Sequence, residues 1–351
     1  MLKRKRFWFG LIISLGFLAF FLYRTDFGEI VDAFRGANYA LAVGAVPLYL
    51  AGFWIRTVRW KLLMRPVQDV PTRRLYPVVL IGLMANNVMP ARVGEVVRAF
   101  LVGEREKLSK SAAFGTIAVD RVFDGLTLVA ILAAVTVFSG TDAKVRGIGI
   151  GTGIIFIGAT GVLLALAFSP DKARGLALRL LNLLPHGLEE RIEEMLDNFL
   201  IGVQSLRHPS MILIAATLSF GSWTMEVAMY ALVGKAFHLD LGLHVYYLIA
   251  ASSNLALSIL ASPGGVGPFE VTTQAVLIDI YGVSSGVAEA YAISLHALLL
   301  APVILIGIIL LWTTQLSLGQ ILGMGNNDNA EGDVPPNLVG RRTATAPPAP
   351  K

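Results

Sequence analysis

Apolar stretches long enough to cross a bilayer dominate this chain and leave few folds open to it. A spanning helix needs about 17–25 mainly apolar residues. Six stretches meet that need, roughly 7–23, 38–63, 111–139, 146–168, 210–236 and 287–313. Two further stretches, 75–103 and 244–281, are apolar but interrupted. Both are interrupted in the same frame, Pro-x-x-Val-Gly, once as Pro90-Ala91-Arg92-Val93-Gly94 and once as Pro263-Gly264-Gly265-Val266-Gly267. Backbone freed from helical hydrogen bonding cannot face lipid, so each break must be buried in protein or line a wet cavity, which is where transporters place their substrate sites. The expectation is an all-α integral membrane protein, a polytopic bundle of about six full spans plus two re-entrant broken-helix hairpins.

Composition agrees and removes several function classes. The chain is 55% hydrophobic and 15% charged, with a mean hydropathy of +0.67. It has no cysteine, which excludes disulfides, thiolate catalysis and cysteine-based metal sites. Its five histidines have no metal-ligand spacing, so neither a metal nor another cofactor is expected. The net charge of +5 belongs to cytoplasmic loops facing anionic headgroups rather than to nucleic acid.

Charge bias orients the spans. Lys3, Arg4, Lys5 and Arg6 precede the first apolar run, which is long for a signal sequence and has no small-residue cleavage site before Arg24. It reads as an uncleaved span with a cytoplasmic N-terminus. The cluster from Arg56 to Arg74 brings the chain back inside. Arg105, Lys107 and Lys110 stay inside only if 75–103 turns at Pro90 and returns. By the same reasoning 244–281 enters from the opposite side, and the C-terminus is cytoplasmic. The result is an inverted repeat, 7–139 and 146–313, within a membrane domain of residues 1–316. Residues 170–208 read as amphipathic helices, either on the membrane surface or packed on the cytoplasmic face of the bundle. Residues 317–351, rich in Asn, Gly and Pro, read as a disordered cytoplasmic tail.

Charged residues inside apolar helices mark the chemistry. Arg92, Glu95 and Arg98 recur every third residue, so a helix there puts them on one face. Each charge near mid-membrane costs about 2.5–3.5 kcal/mol, so they either line a polar cavity or lie at the cytoplasmic rim and snorkel. In a cavity the guanidinium forks match the oxygens of a phosphate. Glu95 would then orient an arginine or exchange a proton. Asn87 can satisfy backbone released by Pro90 and Gly94. Further on, Asp120-Arg121-Val122-Phe123-Asp124 lies about ten residues inside an apolar run. The two acids share a face, and the group reads either as part of a site, with Arg121 as phosphate ligand, or as an ion-pair network that holds the hairpin.

The second break is glycine-rich. Gly264, Gly265 and Gly267 permit positive φ and close approach, so free amides could form an anion nest. Glu270 follows, while Glu226, Asn254 and His296 lie in the flanking helices. His296 alone reads more readily as hydrogen-bonded structure than as a ligand. Arg56, Arg59 and Trp60, at the end of the second apolar run, read as interface anchors, with headgroup contact as a second reading.

Taken in order, Arg56-x-x-Arg59-Trp60, Asn87-x-x-Pro90-x-Arg92-x-Gly94-Glu95-x-x-Arg98, Asp120-Arg121-x-x-Asp124 and Pro263-Gly264-Gly265-Val266-Gly267-x-x-Glu270 resemble the lysylphosphatidylglycerol synthase transmembrane region, or flippase-like domain family, over roughly residues 7–313. The resemblance implies a membrane protein that moves a phospholipid or a polyprenyl-phosphate-linked headgroup across the bilayer. The bifunctional members carry a cytosolic aminoacyl-transfer domain after the membrane region. Only a short low-complexity stretch follows here, so the synthase activity is not expected. The expected partner is an anionic lipid or polyprenyl phosphate. The substrate-binding set would be Arg92, Glu95, Arg98, Arg121, Asn87 and Glu270. The gating or ion-pair set would be Asp120, Asp124, Pro90, Gly94, Pro263, Gly264, Gly265 and Gly267. Two other readings stay open: a non-catalytic partner of a lipid or polysaccharide biosynthesis complex, and an enzyme using Glu95 or Asp120 as general base.

Overall fold

A computed structural model describes residues 27–89, 93–139, 186–259 and 263–313, together with parts of 154–169. The first span, Pro90, Arg92, residues 170–185 and the tail therefore lie outside the described residues. The described residues up to Leu310 form one compact unit, and a second begins at Leu311.

Every regular element among the described residues is helical. They are α1 (Phe27–Gly36), α2 (Tyr39–Gly44), α3 (Val46–Met64), α4 (Thr72–Val88), α5 (Gly94–Glu106), α6 (Lys110–Ser139), α7 (His186–Val203), α8 (Pro209–Ala236), α9 (Leu243–Ile259), α10 (Pro268–Gln274) and α11 (Ser285–Thr313). Among the described residues three helical stretches are long and apolar enough to cross a membrane: Tyr39–Met64, which joins α2 to α3, together with α8 and α11. The helix α6 is equally long but carries Asp120, Arg121 and Asp124 in its middle.

Proline sets several boundaries. Pro209 and Pro268 sit in the first turns of α8 and α10, where a missing N–H costs nothing. Ahead of Pro90, Met89 adopts φ −98° and ψ 142°, the extended geometry that a following proline imposes, so α4 stops there. Both interrupted stretches fold back on themselves, since α4 packs on α5 and α9 packs on α10. The first turn-back is close because Gly82 faces Gly94: a Cβ on Gly94 would strike the Gly82 carbonyl oxygen and the Asn86 side chain. The second hairpin turns through Gly264, Gly265 and Gly267 at φ of 62°, 78° and 96°, conformations that glycine enters without steric cost. The positive φ expected of these glycines is therefore present.

The helices α3 and α8 pack along one another and against α6, and α9 also packs on α6. The larger core joins Trp223, Val227 and Tyr230 of α8 to Leu248 and Leu255 of α9, Phe269 of α10, and Tyr291 and Leu295 of α11. A smaller one joins Leu63, Val119 and Phe123 to Val203 and Leu206. It seats α7 and the turn Gln204–Arg207 on the bundle. Of the two readings for the amphipathic segment, the described part follows the packed one.

Candidate functional site

At the junction of α3, α6 and α8 lies a cluster of charges that apolar helices tolerate only when they are paired. Arg59 is its centre and is fully buried. Its Nε donates to Asp120 Oδ1 at 2.8 Å and its Nη1 to Asp124 Oδ1 at 2.8 Å and Ser219 Oγ at 2.7 Å. Its Nη2 donates to the Asp120 backbone carbonyl at 3.2 Å. Asp120 and Asp124 reach one guanidinium because a four-residue separation places them one above the other on α6. Arg56, one turn earlier on α3, donates to Glu226 Oε2 at 2.8 Å, and its guanidinium stands 4.2 Å from the centre of the Trp223 ring. The other oxygen of Glu226 accepts from the Tyr230 hydroxyl at 3.2 Å.

Reading Arg56, Arg59 and Trp60 as interface anchors is corrected by this geometry. All three are buried. Trp60 donates its indole N–H to Thr116 Oγ1 at 2.9 Å and offers its ring face to the Arg98 guanidinium 4.3 Å away. The alternative that Arg98 snorkels at a rim fails for the same reason, because Arg98 is only 4% exposed.

The first hairpin delivers Arg98 to this cluster. Gly82 has no side chain where the stem of Arg98 crosses it, so the guanidinium reaches Asp120 Oδ2, with both contacts at 3.4 Å. Arg121 reaches Asp120 Oδ2 at 3.2 Å and Asp124 Oδ2 at 3.0 Å. Distance and burial separate the arginines into two kinds. Arg59 makes short bonds in full burial and is bound on every side. Arg98 and Arg121 make longer ones, and each has an Nε–H that is buried without an acceptor. An unmatched buried donor costs about 1–3 kcal/mol. Both residues line a narrow cleft, with room for about one water molecule, together with Phe53, Arg56, Val79, Leu83 and Asp120. Arg121 is its most solvent-accessible cation, with 36% of the side chain exposed.

Other expected site residues are placed differently. Asn86, the neighbour of Asn87, satisfies the break: its Oδ1 accepts from Gly94 N–H at 2.7 Å and its Nδ2 donates to Glu95 Oε1 at 3.1 Å. Asn87 instead turns its backbone carbonyl toward Gly264, so the two breaks meet. Glu270 lies in the second turn, where its Oε2 accepts from Gly267 N–H at 2.8 Å and its Oε1 meets His296 Nδ1 at 2.5 Å. That carboxylate occupies one of the amides expected to make an anion nest. Among the described residues no group of acids and histidines is arranged to hold a metal ion.

Comparison with known proteins places the chain in a family. A family model for the lysylphosphatidylglycerol synthase TM region matches residues 7–307. The chain belongs to that family. Family and helices together make it an integral membrane protein. A UPF0104 membrane protein of Methanothermobacter thermautotrophicus is 27% identical over 80% of this chain and 87% of its own length. The glycosyltransferase AglD of Haloferax volcanii is 25% identical over 92% of this chain, which spans only 56% of that longer protein. The UPF0104 membrane protein MJ1078 of Methanocaldococcus jannaschii is 27% identical over 54% of this chain and 76% of its own length. No solved structure matches.

Proposed function

We propose that this protein is a lipid translocase, not an enzyme, which passes the phosphate of a lipid headgroup across the membrane by way of the cleft between α3, α4, α5 and α6. The observation that carries this reading is that Arg98 and Arg121, each with a buried guanidinium N–H that lacks an acceptor, line one cleft. A phosphodiester or polyprenyl phosphate presents several oxygens to such forks at once. Asp120 already partners both arginines, so the incoming anion competes with that carboxylate. Exchange of this kind suits a site that must release its cargo as well as bind it.

Two re-entrant hairpins that meet at their tips fit alternating access, in which opposing gates open in turn around a fixed site. An inverted repeat, six full spans, a cytoplasmic membrane location and cytoplasmic termini complete the proposal on the strength of the charge bias. A second reading is favoured by the relative named as a glycosyltransferase: a role beside lipid-carrier glycan synthesis, with α7 as a docking element. The two readings share a phosphate-bearing lipid.

Purified protein in vesicles containing fluorescent phosphatidylglycerol, or a fluorescent polyprenyl phosphate, should move the probe between leaflets faster than protein-free vesicles do. Arg121→Ala should lower the rate about 10-fold or more, the effect of roughly 1.4 kcal/mol of lost phosphate contact. Equal rates with and without protein would overturn the proposal. An unchanged rate in Arg121→Ala would remove the cleft from it.

A further inference from the structure

The second glycine turn is held by a pair of side chains that the cleft does not use. His296 on α11 is buried and stacks its ring on Phe269, with centroids 4.5 Å apart. Its Nδ1 meets Glu270 Oε1 at 2.5 Å and its Nε2 meets the Gly264 carbonyl oxygen at 2.9 Å. Both ring nitrogens thus face acceptors. A carbonyl accepts only, and an ionised carboxylate accepts only, whereas a neutral imidazole offers one N–H. Satisfying both contacts takes two protons: one on Nε2, and one held between Nδ1 and Oε1.

We propose that Glu270 and His296 form a proton-binding site, and that the proton they share keeps the glycine turn pressed against the tip of the first hairpin. When that proton leaves to water, a single N–H remains for two acceptors. If it stays on Nε2, the Nδ1 lone pair faces the carboxylate. If it moves to Nδ1, the Nε2 lone pair faces the Gly264 carbonyl. One of the two bonds is lost either way, and both act on the turn, since Glu270 also holds Gly267 N–H. Gly264 is the residue that lies against the Asn87 carbonyl of the first hairpin, so the protonation state reaches the contact between the two breaks.

The surrounding elements present mostly apolar or already engaged groups. The α9 helix places Leu257 against Gly265, and its titratable residues His244, Tyr246 and Tyr247 sit in its first turns. The α8 helix places the Tyr230 ring edge against Phe269, with its hydroxyl on Glu226, which Arg56 holds. On α11 the buried Glu289 lies about two turns before His296. On α4 the contact is the Asn87 carbonyl. Coupling of this proton to lipid movement rests on the translocase reading; the proton site itself does not.

The absence of native cysteine allows a direct test. Nitroxide labels on Val88→Cys and Val266→Cys, exposed positions beside the two turns, in full-length protein in vesicles should show strong dipolar broadening at about pH 5. The broadening should fall at about pH 9. In Glu270→Gln the amide oxygen can still accept from Gly267 while the amide nitrogen donates to Nδ1, so broadening should persist at both pH values. Equal broadening of the doubly labelled parent at the two pH values, or a pH response surviving in Glu270→Gln, would overturn the proposal. Should Glu270→Gln not fold, His296→Gln serves in its place, since its amide can reach the Gly264 carbonyl without titrating and must abolish the pH response. Lipid movement without a pH response would sink this inference alone. A pH response without lipid movement would sink the translocase reading alone.

Discussion

At the first break the backbone is held by side chains that converge from distant parts of the fold; at the second it is held almost entirely from within. Asn86 caps Gly94, Arg98 reaches Asp120 on α6, and Asp120 is in turn fixed by Arg59 of α3. The first hairpin is therefore wired into a network spanning three helices. The second turns on three glycines at positive φ, with Glu270 bonded to its own turn and His296 as the outside brace. The same Pro-x-x-Val-Gly frame thus supports one hairpin held by charges shared between helices and one held by its own backbone.

That contrast can be broken most forcefully at Arg59. Arg59→Ala leaves Asp120 and Asp124 buried without their main counter-ion and should cost about 3–5 kcal/mol, read as a drop in the denaturant midpoint of detergent-solubilised protein. A loss under about 1 kcal/mol would mean the network does not hold the first hairpin. Next comes Gly94→Ala, whose added Cβ would strike the Gly82 carbonyl. Overpacking of this sort should cost about 1–3 kcal/mol and should lower the apparent phosphate affinity, because Arg98 rides on the displaced helix.

Gly264→Ala probes the other side. Its φ of 62° should cost an alanine about 1–2 kcal/mol. Unlike Gly94→Ala, it should leave binding of inorganic phosphate, measured calorimetrically, unchanged. Should both variants weaken phosphate binding alike, the division of labour between the breaks is wrong. The smallest expected effect is at Thr116→Val, which removes the acceptor for the Trp60 indole and should cost about 1 kcal/mol of stability.

Parts of this arrangement were legible in the residues. Asp120 and Asp124 inside an apolar run, four apart, announced a buried partner on another helix. The two breaks were visible because proline and glycine interrupt otherwise continuous hydrophobicity. Arg56 and Arg59 were misassigned because they fall near Lys61 and Arg65 at the end of their apolar run, where positive charge ordinarily meets headgroups. Their role depends on acids about sixty residues later and on Ser219, Ser222 and Glu226 of α8. Two clues lay in the chain all the same. Two acids on one face of α6 needed more positive charge than Arg121 alone, and the polar stripe at 219, 222 and 226 marked the face of α8 turned toward them. Glu270 was assigned to substrate because an acid after a glycine turn reads equally as a ligand or a cap, and only the positions of Gly267 and His296 decide between them.

The stacking of Arg98 on Trp60 gives the cleft an optical handle of its own. An indole beneath a guanidinium changes its emission when the cation moves, so a phosphate that draws Arg98 away should register in Trp60 with no label attached. The chain has five tryptophans, and replacing the other four would leave a protein whose ultraviolet fluorescence tracks occupancy of one site in real time.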